Sequence, residues 1–314
     1  MEKYCFGIDV GGTTVKCALF SEDGSIVDKW EIKTRTENQG EQILPDVAKT
    51  VLAKAEEKKL DKEQIVGIGI GLPGPIEENG EIACAVNLHW GRKNIEKELG
   101  DLTGLSVKAG NDANVAALGE MWKGGGQGAK NLILVTLGTG VGGGIIINGK
   151  ILTGAHGAGG EIGHAAVNPQ ETVACNCGNK GCLEQYASAT GIASLARKAM
   201  ENSEKDSALR KIGRSVTAKD VFDAYKEGDS LAGQIVDEFS RYLGQALAIF
   251  TCVADPNVIV LGGGVSKAGQ VLIDSVEKEF RKHAFPACKD TPMRLATLGN
   301  DAGIYGAAKL ILDK

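Results

Sequence analysis

The stretch Asp9-Val-Gly-Gly-Thr-Thr14 lies between two apolar runs, Tyr4–Asp9 and Val15–Phe20. Runs of this length, joined by a tight glycine turn, predict two paired strands. A third apolar run, Ile26–Ile32, follows the turn Ser21–Gly24. The beginning of the chain therefore predicts a three-stranded antiparallel meander.

The strand–turn–strand design recurs near the middle of the chain. Leu132–Leu137 is followed by Gly138-Thr-Gly-Val-Gly-Gly-Gly144 and then by Ile145–Asn148. A repeated design of this kind suggests a duplicated α/β fold with two similar lobes. The turn also contains the spacing G-x-G-x-x-G, which in dinucleotide-binding proteins opens a helix. We reject that interpretation because β-branched residues follow the turn, and they prefer strands.

Glycine hairpins can bring backbone N–H groups close to a phosphate, because no Cβ stands in the way. The first hairpin adds a carboxylate, Asp9, and two hydroxyls, Thr13 and Thr14. It has no Gly-Lys-Ser/Thr sequence, so it is not a Walker P-loop. Each hairpin alone is equally compatible with a structural turn. Their pairing, together with Gly262-Gly-Gly264 after a third buried strand, favours phosphate binding.

Composition excludes several classes of protein. The 314 residues have a net charge of −5 and a pI of about 5.6, which favours neither nucleic acid nor a membrane surface as partner. We find neither a signal-peptide pattern nor an apolar run of the ~18 residues that a span requires. Eight cysteines without an export signal argue against a disulfide framework. We expect a reduced, cytoplasmic protein.

His164, Cys175, Cys177 and Cys182 lie within 19 positions of one another. Three thiolates and one imidazole form a closed tetrahedral zinc site, which has no open position for a reacting water. The sequence therefore predicts a structural zinc ion. The alternatives are free thiols in a loop, or His156 as a competing ligand. We predict that the remaining cysteines and one histidine are packing residues: Cys5, Cys17, Cys84, Cys252, Cys288 and His283.

Helical periodicity and capping signals predict the remaining regular structure. The predicted helices cover residues 42–59, 188–200, 217–225, 273–283 and 301–312, with a long helix that Asp229 caps and that stops before Pro256. A buried strand, Ile65–Ile70, runs into the loop Gly71–Pro75. Loops in this position bind ligands in open α/β sheets.

The three glycine segments resemble the two phosphate elements and the adenosine element of actin-like sugar kinases. Gly160-Glu-Ile-Gly-His164, with Cys175-Asn-Cys-Gly-Asn-Lys-Gly-Cys-Leu-Glu184, resembles the zinc signature of the ROK family, and the resemblance covers essentially the whole chain. It implies a two-lobed actin-like ATPase (ribonuclease H-like) α/β fold with duplicated βββαβαβα domains. The small lobe would comprise residues 1–112 plus 301–314, and the large lobe residues 113–300 with the zinc site.

The resemblance also implies roles for individual residues. Asn111-Asp112-Ala-Asn114 matches the catalytic motif, which makes Asp112 the general base, although without the family a surface turn is the simpler explanation. The implied substrate-binding residues are Gly74, Asn87, Asn111, Asp112, Glu161, His164 and Glu184. The implied nucleotide- and magnesium-binding residues are Asp9, Gly11, Gly12, Thr13, Thr14, Lys16, Gly138, Thr139, Gly140, Gly262, Gly263 and Gly264. We expect His164 to bind zinc through one ring nitrogen and a sugar hydroxyl through the other.

The implied activity is ATP-dependent phosphorylation of the 6-hydroxyl of a hexose, with ATP, Mg²⁺ and structural Zn²⁺, and within this family we favour glucose as the hexose. N-acetylmannosamine, fructose or another hexose is an alternative substrate. A sugar-responsive regulator without catalysis is the alternative of another class. Family repressors carry an extra DNA-binding domain, and a first hairpin at residue 9 leaves no room for one, so we favour the kinase. Family relatives suggest a homodimer or homotetramer.

Overall fold

The first sheet contains the predicted meander. In the computed structural model, which describes residues 2–313, β1 (Tyr4–Val10), β2 (Thr14–Ser21) and β3 (Ile26–Lys33) pair antiparallel. β4 (Ile65–Leu72) and β7 (Val107–Asn111) extend the sheet in parallel on the other side of β1. The strand order is β3-β2-β1-β4-β7.

The second sheet repeats this order. It contains β8 (Leu132–Leu137), β9 (Val141–Ile147), β10 (Lys150–Ile151), β11 (Val258–Gly262) and β12 (Met293–Leu295). The strand order is β10-β9-β8-β11-β12, so in both sheets the third, second, first, fourth and fifth strands lie side by side. The predicted duplication is therefore confirmed. A small third sheet pairs β5 (Glu81–Ile82) with β6 (Lys93–Asn94).

Helices connect and cover the strands. In chain order they are α1 (Ile43–Glu57), α2 (Ile95–Thr103), α3 (Asp112–Lys123), α4 (Glu184–Ala187), α5 (Ala189–Asn202), α6 (Leu209–Ile212), α7 (Ala218–Lys226), α8 (Ser230–Ala254), α9 (Gln270–His283) and α10 (Ala302–Leu312). The six predicted helices are all present, although α9 begins earlier than expected. The sequence pattern did not predict α2, α3 or the two four-residue helices α4 and α6.

The chain forms two compact units. Unit 1 comprises Met1–Gly128, Gly144–Gly160 and Leu298–Lys314, and unit 2 comprises Ala129–Gly143 and Glu161–Thr297. The expected division after residue 112 differs from these units because it separates α3 from α10. The backbones of these two helices are in direct contact, since a Cβ on Gly119 would lie 2.3 Å from the Ala302 carbonyl oxygen.

Strand alternation divides the core of unit 1 between two faces of its sheet. Phe6 and Ile8 of β1 pack with the apolar face of α1. Cys5 points to the opposite face, where it packs with α10. Gly7 lets α10 lie directly on β1, since a Cβ there would stand 2.2 Å from the Ile304 carbonyl oxygen. The period of two places Asp9 on this same face, toward the beginning of α10.

Helix α8 of unit 2 matches its prediction closely. The Asp229 side chain accepts hydrogen bonds from the backbone N–H groups of Leu231 and Ala232, and the helix ends at Ala254. Its apolar stripe is buried from Leu231 to Leu247. Among residues 2–313, no helix combines the length and apolar character needed to cross a bilayer.

The prediction that six residues pack in the core is half right. Cys5, Cys17 and Cys288 are buried. Cys84, Cys252 and His283 are exposed, so that prediction is wrong for them. Cys84 follows the two-residue strand β5, and the other two lie on the solvent sides of α8 and α9.

Candidate active site

Asp9 is positioned by the end of β1 and the first turn of α10, both in unit 1. A Cβ on Gly303 would lie only 2.6 Å from the Asp9 Cγ, so only glycine leaves room for this carboxylate. Burial raises the pKa of the Asp9 carboxyl above its ordinary value, and the charge of Lys16 opposes that shift. Lys16 pairs with Asp9 across the hairpin, and its ammonium donates to the Asn300 carbonyl at 2.9 Å.

The first glycine hairpin is held from behind by Thr34, a residue that no sequence motif indicates. Thr34 is 3% exposed. Its hydroxyl donates to the Gly11 carbonyl at 2.6 Å, and its backbone N–H donates to the Thr13 carbonyl at 2.9 Å. Gly12 and Thr13 are exposed at the tip. The arrangement holds the hairpin while its tip faces solvent.

Asn111 and Asp112 begin α3, because Asn111 is the N-cap. The Asn111 Oδ1 accepts from the backbone N–H groups of Ala113 and Asn114 at 3.0 and 3.2 Å, and its Nδ2 donates to the Gly74 carbonyl at 3.1 Å. Asp112 is exposed, and its Oδ1 accepts from Ala113 N–H at 2.7 Å. A helix N-terminus stabilises a carboxylate, so this position suits a charged base.

The Gly74 loop and Asn87 lie close to these groups within unit 1. Gly74 has φ +138°, and a Cβ there would stand 2.7 Å from the Cys84 carbonyl oxygen. Asn87 is exposed and lies beside the first hairpin, since a Cβ on Gly12 would meet its carbonyl oxygen at 3.8 Å. His89 is exposed.

In unit 2, the second glycine hairpin is attached to the beginning of α5. The Gly138 carbonyl accepts from Ala189 N–H at 2.8 Å, and the Thr139 carbonyl accepts from the Thr190 hydroxyl at 2.6 Å. A Cβ on Gly140 would lie 2.6 Å from the Glu184 Oε2. The hairpin is therefore in contact with Glu184, one of the predicted sugar-binding carboxylates.

The third glycine segment borders a cavity of about 320 Å³. Gly262 ends β11, and Gly263, with φ +81°, lies against the backbone of Leu137. Gly264 and Val265 line one wall of the cavity, and α7, including Phe222, lines the other. The sequence did not indicate α7 as a ligand-binding element, since its apolar face is what any packed amphipathic helix presents.

The predicted metal ligands lie together. The ligand atoms of His164, Cys175, Cys177 and Cys182 are all within 4.8 Å of one another. The Cys177 and Cys182 sulfurs are 3.6 Å apart, and the Cys175 sulfur is 3.8 Å from the His164 Nδ1. Tetrahedral zinc with Zn–S bonds of ~2.3 Å separates its ligands by about these distances. The donor set therefore fits zinc, and His156 does not belong to this group of described residues.

Two carboxylates flank the His164 ring on opposite sides. The Glu184 Oε1 lies 3.8 Å from Nδ1 and 2.8 Å from the Cys175 sulfur, and the Glu161 Oε2 lies 3.9 Å from Nε2. Burial, followed by the hydrogen bond to Glu184, raises the pKa of Cys175 to about 12. The backbone N–H of Asn179 lowers the pKa of Cys177. With Nδ1 on the cysteine side, Nε2 is the nitrogen directed away from the metal ligands.

The predicted residues thus form one group within each unit. Unit 1 contains Asp9, Gly11, Gly12, Thr13, Thr14, Lys16, Gly74, Asn87, Asn111 and Asp112, and unit 2 contains Gly138, Thr139, Gly140, Glu161, His164, Glu184 and Gly262–Gly264. The first group has two carboxylates, Asp9 and Asp112, and an exposed glycine turn. The second has a glycine turn, a cavity and the two carboxylates that flank His164.

Known proteins resemble this chain along its full length. A model of the ROK family matches residues 5–314. A glucokinase of Halalkalibacterium halodurans is 46% identical over 314 residues, covering 99% of this chain and 95% of that protein. The crystal structure of a ROK hexokinase from Thermus thermophilus is 31% identical with a TM-score of 0.81, covering 98% of this chain and 97% of that one. A ROK family glucokinase from Streptomyces griseus, in complex with glucose and AMPPNP, is 31% identical with a TM-score of 0.73, covering 98% of both chains.

Proposed function

The chain belongs to the ROK family, as its motifs predicted, and on that premise we propose that it transfers the γ-phosphoryl group of ATP to the 6-hydroxyl of glucose. The observation that carries the proposal is the first turn of α3. There an exposed carboxylate, Asp112, stands at a helix N-terminus beside Asn111, which also holds the Gly74 loop. The identity of 46% to a glucokinase over the full length supports glucose as the hexose.

Asp112 acts as the general base. It takes the proton from the sugar's 6-hydroxyl while that oxygen attacks the γ-phosphorus, and the bond to the β-phosphate oxygen breaks with its electron pair leaving on ADP. General base catalysis of this kind contributes ~10²–10⁴-fold in rate. The rest of the acceleration comes from positioning and charge stabilisation by the glycine hairpins.

The glycine segments of unit 2 bind the nucleotide. The hairpin Gly138–Gly140 offers backbone N–H groups to the phosphates, and the cavity between Gly264 and Phe222 has the volume and the apolar wall that an adenine base requires. Asp9 and Thr13 would hold Mg²⁺ through water, and the ion would supply positive charge at the phosphates. The half-buried position of Asp9 against Gly303 keeps its carboxylate in one place.

Glu161, His164 and Glu184 bind the hydroxyls of the sugar. The Cys175–Cys182 loop and the His164 Nδ1 would hold a structural zinc ion, which fixes the imidazole ring and so leaves the Nε2–H as an oriented donor. The Glu184 carboxylate lies against Gly140, which supports sugar recognition beside the phosphate hairpin within unit 2.

A coupled ADP-release assay across glucose, mannose, fructose, allose and N-acetylmannosamine tests the substrate. We expect the highest kcat/KM with glucose. A higher kcat/KM with another hexose would identify that hexose as the substrate in place of glucose. Asp112→Asn should lose kcat by about 10²-fold or more while the sugar Kd changes little. Asp101→Asn, an exposed change on α2 that breaks only a surface pair with Lys97, is the matched control. A near-normal kcat in Asp112→Asn would refute the assignment of the base.

We further propose that the protein is a homodimer or homotetramer and that it acts in the cytoplasm, where ATP is available as donor. Light scattering after gel filtration gives the oligomeric state, and a monomer at micromolar concentration would contradict the first proposal.

A further inference from the structure

Glu120 lies on α3, two turns beyond Asp112, and is 1% exposed. The chain first leaves unit 1 after Gly128 and finally returns to it at Leu298. The Glu120 Oε2 accepts from the backbone N–H of Gly125 at 2.8 Å, and its Oε1 accepts from the backbone N–H of Leu298 at 2.9 Å. One buried carboxylate therefore holds the segment that leaves unit 1 and the segment that returns.

The departing segment is wound closely around Glu120. The backbone N–H groups of Gly124 and Gly126 donate to the Glu120 main-chain carbonyl at 3.1 and 2.9 Å. A Cβ on Gly124 would lie 2.0 Å from the Glu120 Oε2, so a larger residue would displace the carboxylate. Gly124 makes room for the buried acid, and the acid in turn satisfies the backbone donor of Gly125.

The returning segment leads directly to Asp9. Leu298 precedes the single turn Gly299–Asp301 and then α10, whose Gly303 lies against the Asp9 carboxylate. Helix α3, which carries Glu120, begins with Asp112. Glu120 thus ties the helix of one functional carboxylate to the start of the helix that supports the other.

We propose that Glu120 is a positioning residue for phosphoryl transfer, which aligns Asp112 with Asp9 by fixing α3 to the beginning of α10. It does not touch substrate. This role rests on the proposed function, because it assumes that Asp112 and Asp9 act in one reaction. Small errors in such an alignment reduce kcat more than they weaken ground-state binding.

Glu120→Gln is the main test, because a neutral amide has one acceptor oxygen and cannot satisfy both backbone donors. We expect amide hydrogen exchange to accelerate in the segments 124–128 and 296–300. We expect kcat for glucose to fall by about tenfold or more, while the equilibrium Kd for glucose, measured without ATP, stays within about threefold.

A second pair of variants removes the other partner. Leu298→Pro deletes the N–H donor at a φ of −79° that proline adopts without strain, and Leu298→Ala keeps the donor. We expect Leu298→Pro, and not Leu298→Ala, to lower kcat in the same way. Glu279 is a buried glutamate of α9 that pairs with Lys282. The variant Glu279→Gln therefore controls for loss of a buried charge.

An unchanged kcat in a folded Glu120→Gln protein whose two segments exchange faster would overturn the proposal. Equal losses in Glu279→Gln or Leu298→Ala would overturn it as well. If the wild-type protein phosphorylates no hexose, the proposed function fails instead. The exchange rates of the two segments then still decide whether Glu120 holds them.

Discussion

Replacing Asn111 with Asp or with Ala separates two tasks that one side chain performs. Its Oδ1 caps α3 through the N–H groups of Ala113 and Asn114, and its Nδ2 holds the Gly74 carbonyl at 3.1 Å. Asn111→Asp keeps the capping oxygen but turns a second acceptor toward the Gly74 carbonyl. Asn111→Ala removes both interactions.

The magnitudes follow from the bonds lost. A helix cap contributes about 1 kcal/mol to the free energy of unfolding, and the hydrogen bond to the Gly74 carbonyl contributes about 1 kcal/mol more. Asn111→Ala should therefore lose ~2 kcal/mol, which lowers Tm by about 4–8 °C for a unit of this size. Asn111→Asp should lose ~1 kcal/mol or less, because Asp caps as well as Asn. Both variants release the Gly74 loop, and we expect the KM for glucose to rise about fivefold or more in each.

The measurements are thermal unfolding of the ligand-free protein and steady-state kinetics with glucose. Asn94→Asp is the matched control, since Asn94 caps α2 through Lys97 N–H and holds the Asn79 carbonyl in the same manner. Asn94→Asp should lower Tm by about as much as Asn111→Asp does, and it should leave the KM for glucose unchanged. A wild-type KM in Asn111→Asp, or equal Tm values for the Asp and Ala variants, would refute the reasoning.

Three further predictions concern the carboxylate beside α10 and the metal ligands. Gly303→Ala should lower kcat by about tenfold or more while the protein stays folded, because the added Cβ would press on Asp9 at 2.6 Å; wild-type turnover would contradict this. Asp9→Asn should raise Tm at pH 7 while reducing activity, since burial raises the pKa of the Asp9 carboxyl and its charge therefore destabilises the folded state. The Tm difference between Asp9→Asn and the wild type should shrink as the pH falls through that raised pKa toward the ordinary range of ~4, because the wild-type carboxyl then becomes uncharged. A Tm difference that grows in acid would contradict this prediction. Cys177→Ser should lower bound zinc, measured by atomic absorption, and raise the glucose KM, whereas His164→Ala should raise KM further because it also removes the Nε2 donor. An unchanged KM in a folded, zinc-depleted His164→Ala protein would exclude the double role of that histidine.

Local patterns in the sequence were sufficient for most of the fold. The meander and its repeat follow from apolar runs separated by glycine turns, and α8 follows from its apolar stripe and the Asp229 cap. The cluster of Cys175, Cys177 and Cys182 with His164 was predicted from close spacing, which limits how far apart the sulfurs can lie. Such features depend on neighbours along the chain, so a single sequence contains them.

The features that the sequence did not reveal depend on distant contacts. Helix α3 begins at Asp112, after the N-cap Asn111. The sequence around Asn111 resembles a surface turn, because α3 has small residues on the side that meets α10. Thr34 and Glu120 are polar residues without a motif of their own. Their importance follows from carbonyl and N–H partners up to 178 positions away. Residue type and spacing contain no signal for such pairs.

The packing of α10 on β1 also determines the order in which the protein can be completed during synthesis. Residues 302–312 emerge from the ribosome after all of unit 2, yet they cover Cys5 and Gly7 near the beginning of unit 1. At a synthesis rate of ~5–20 residues per second, α10 is made on the order of ten seconds or more after the strands of unit 1. Until then, the face of the sheet that α10 covers stays open. The nascent chain therefore carries an open apolar sheet face through most of translation, and chaperones that shield such faces have their longest opportunity here.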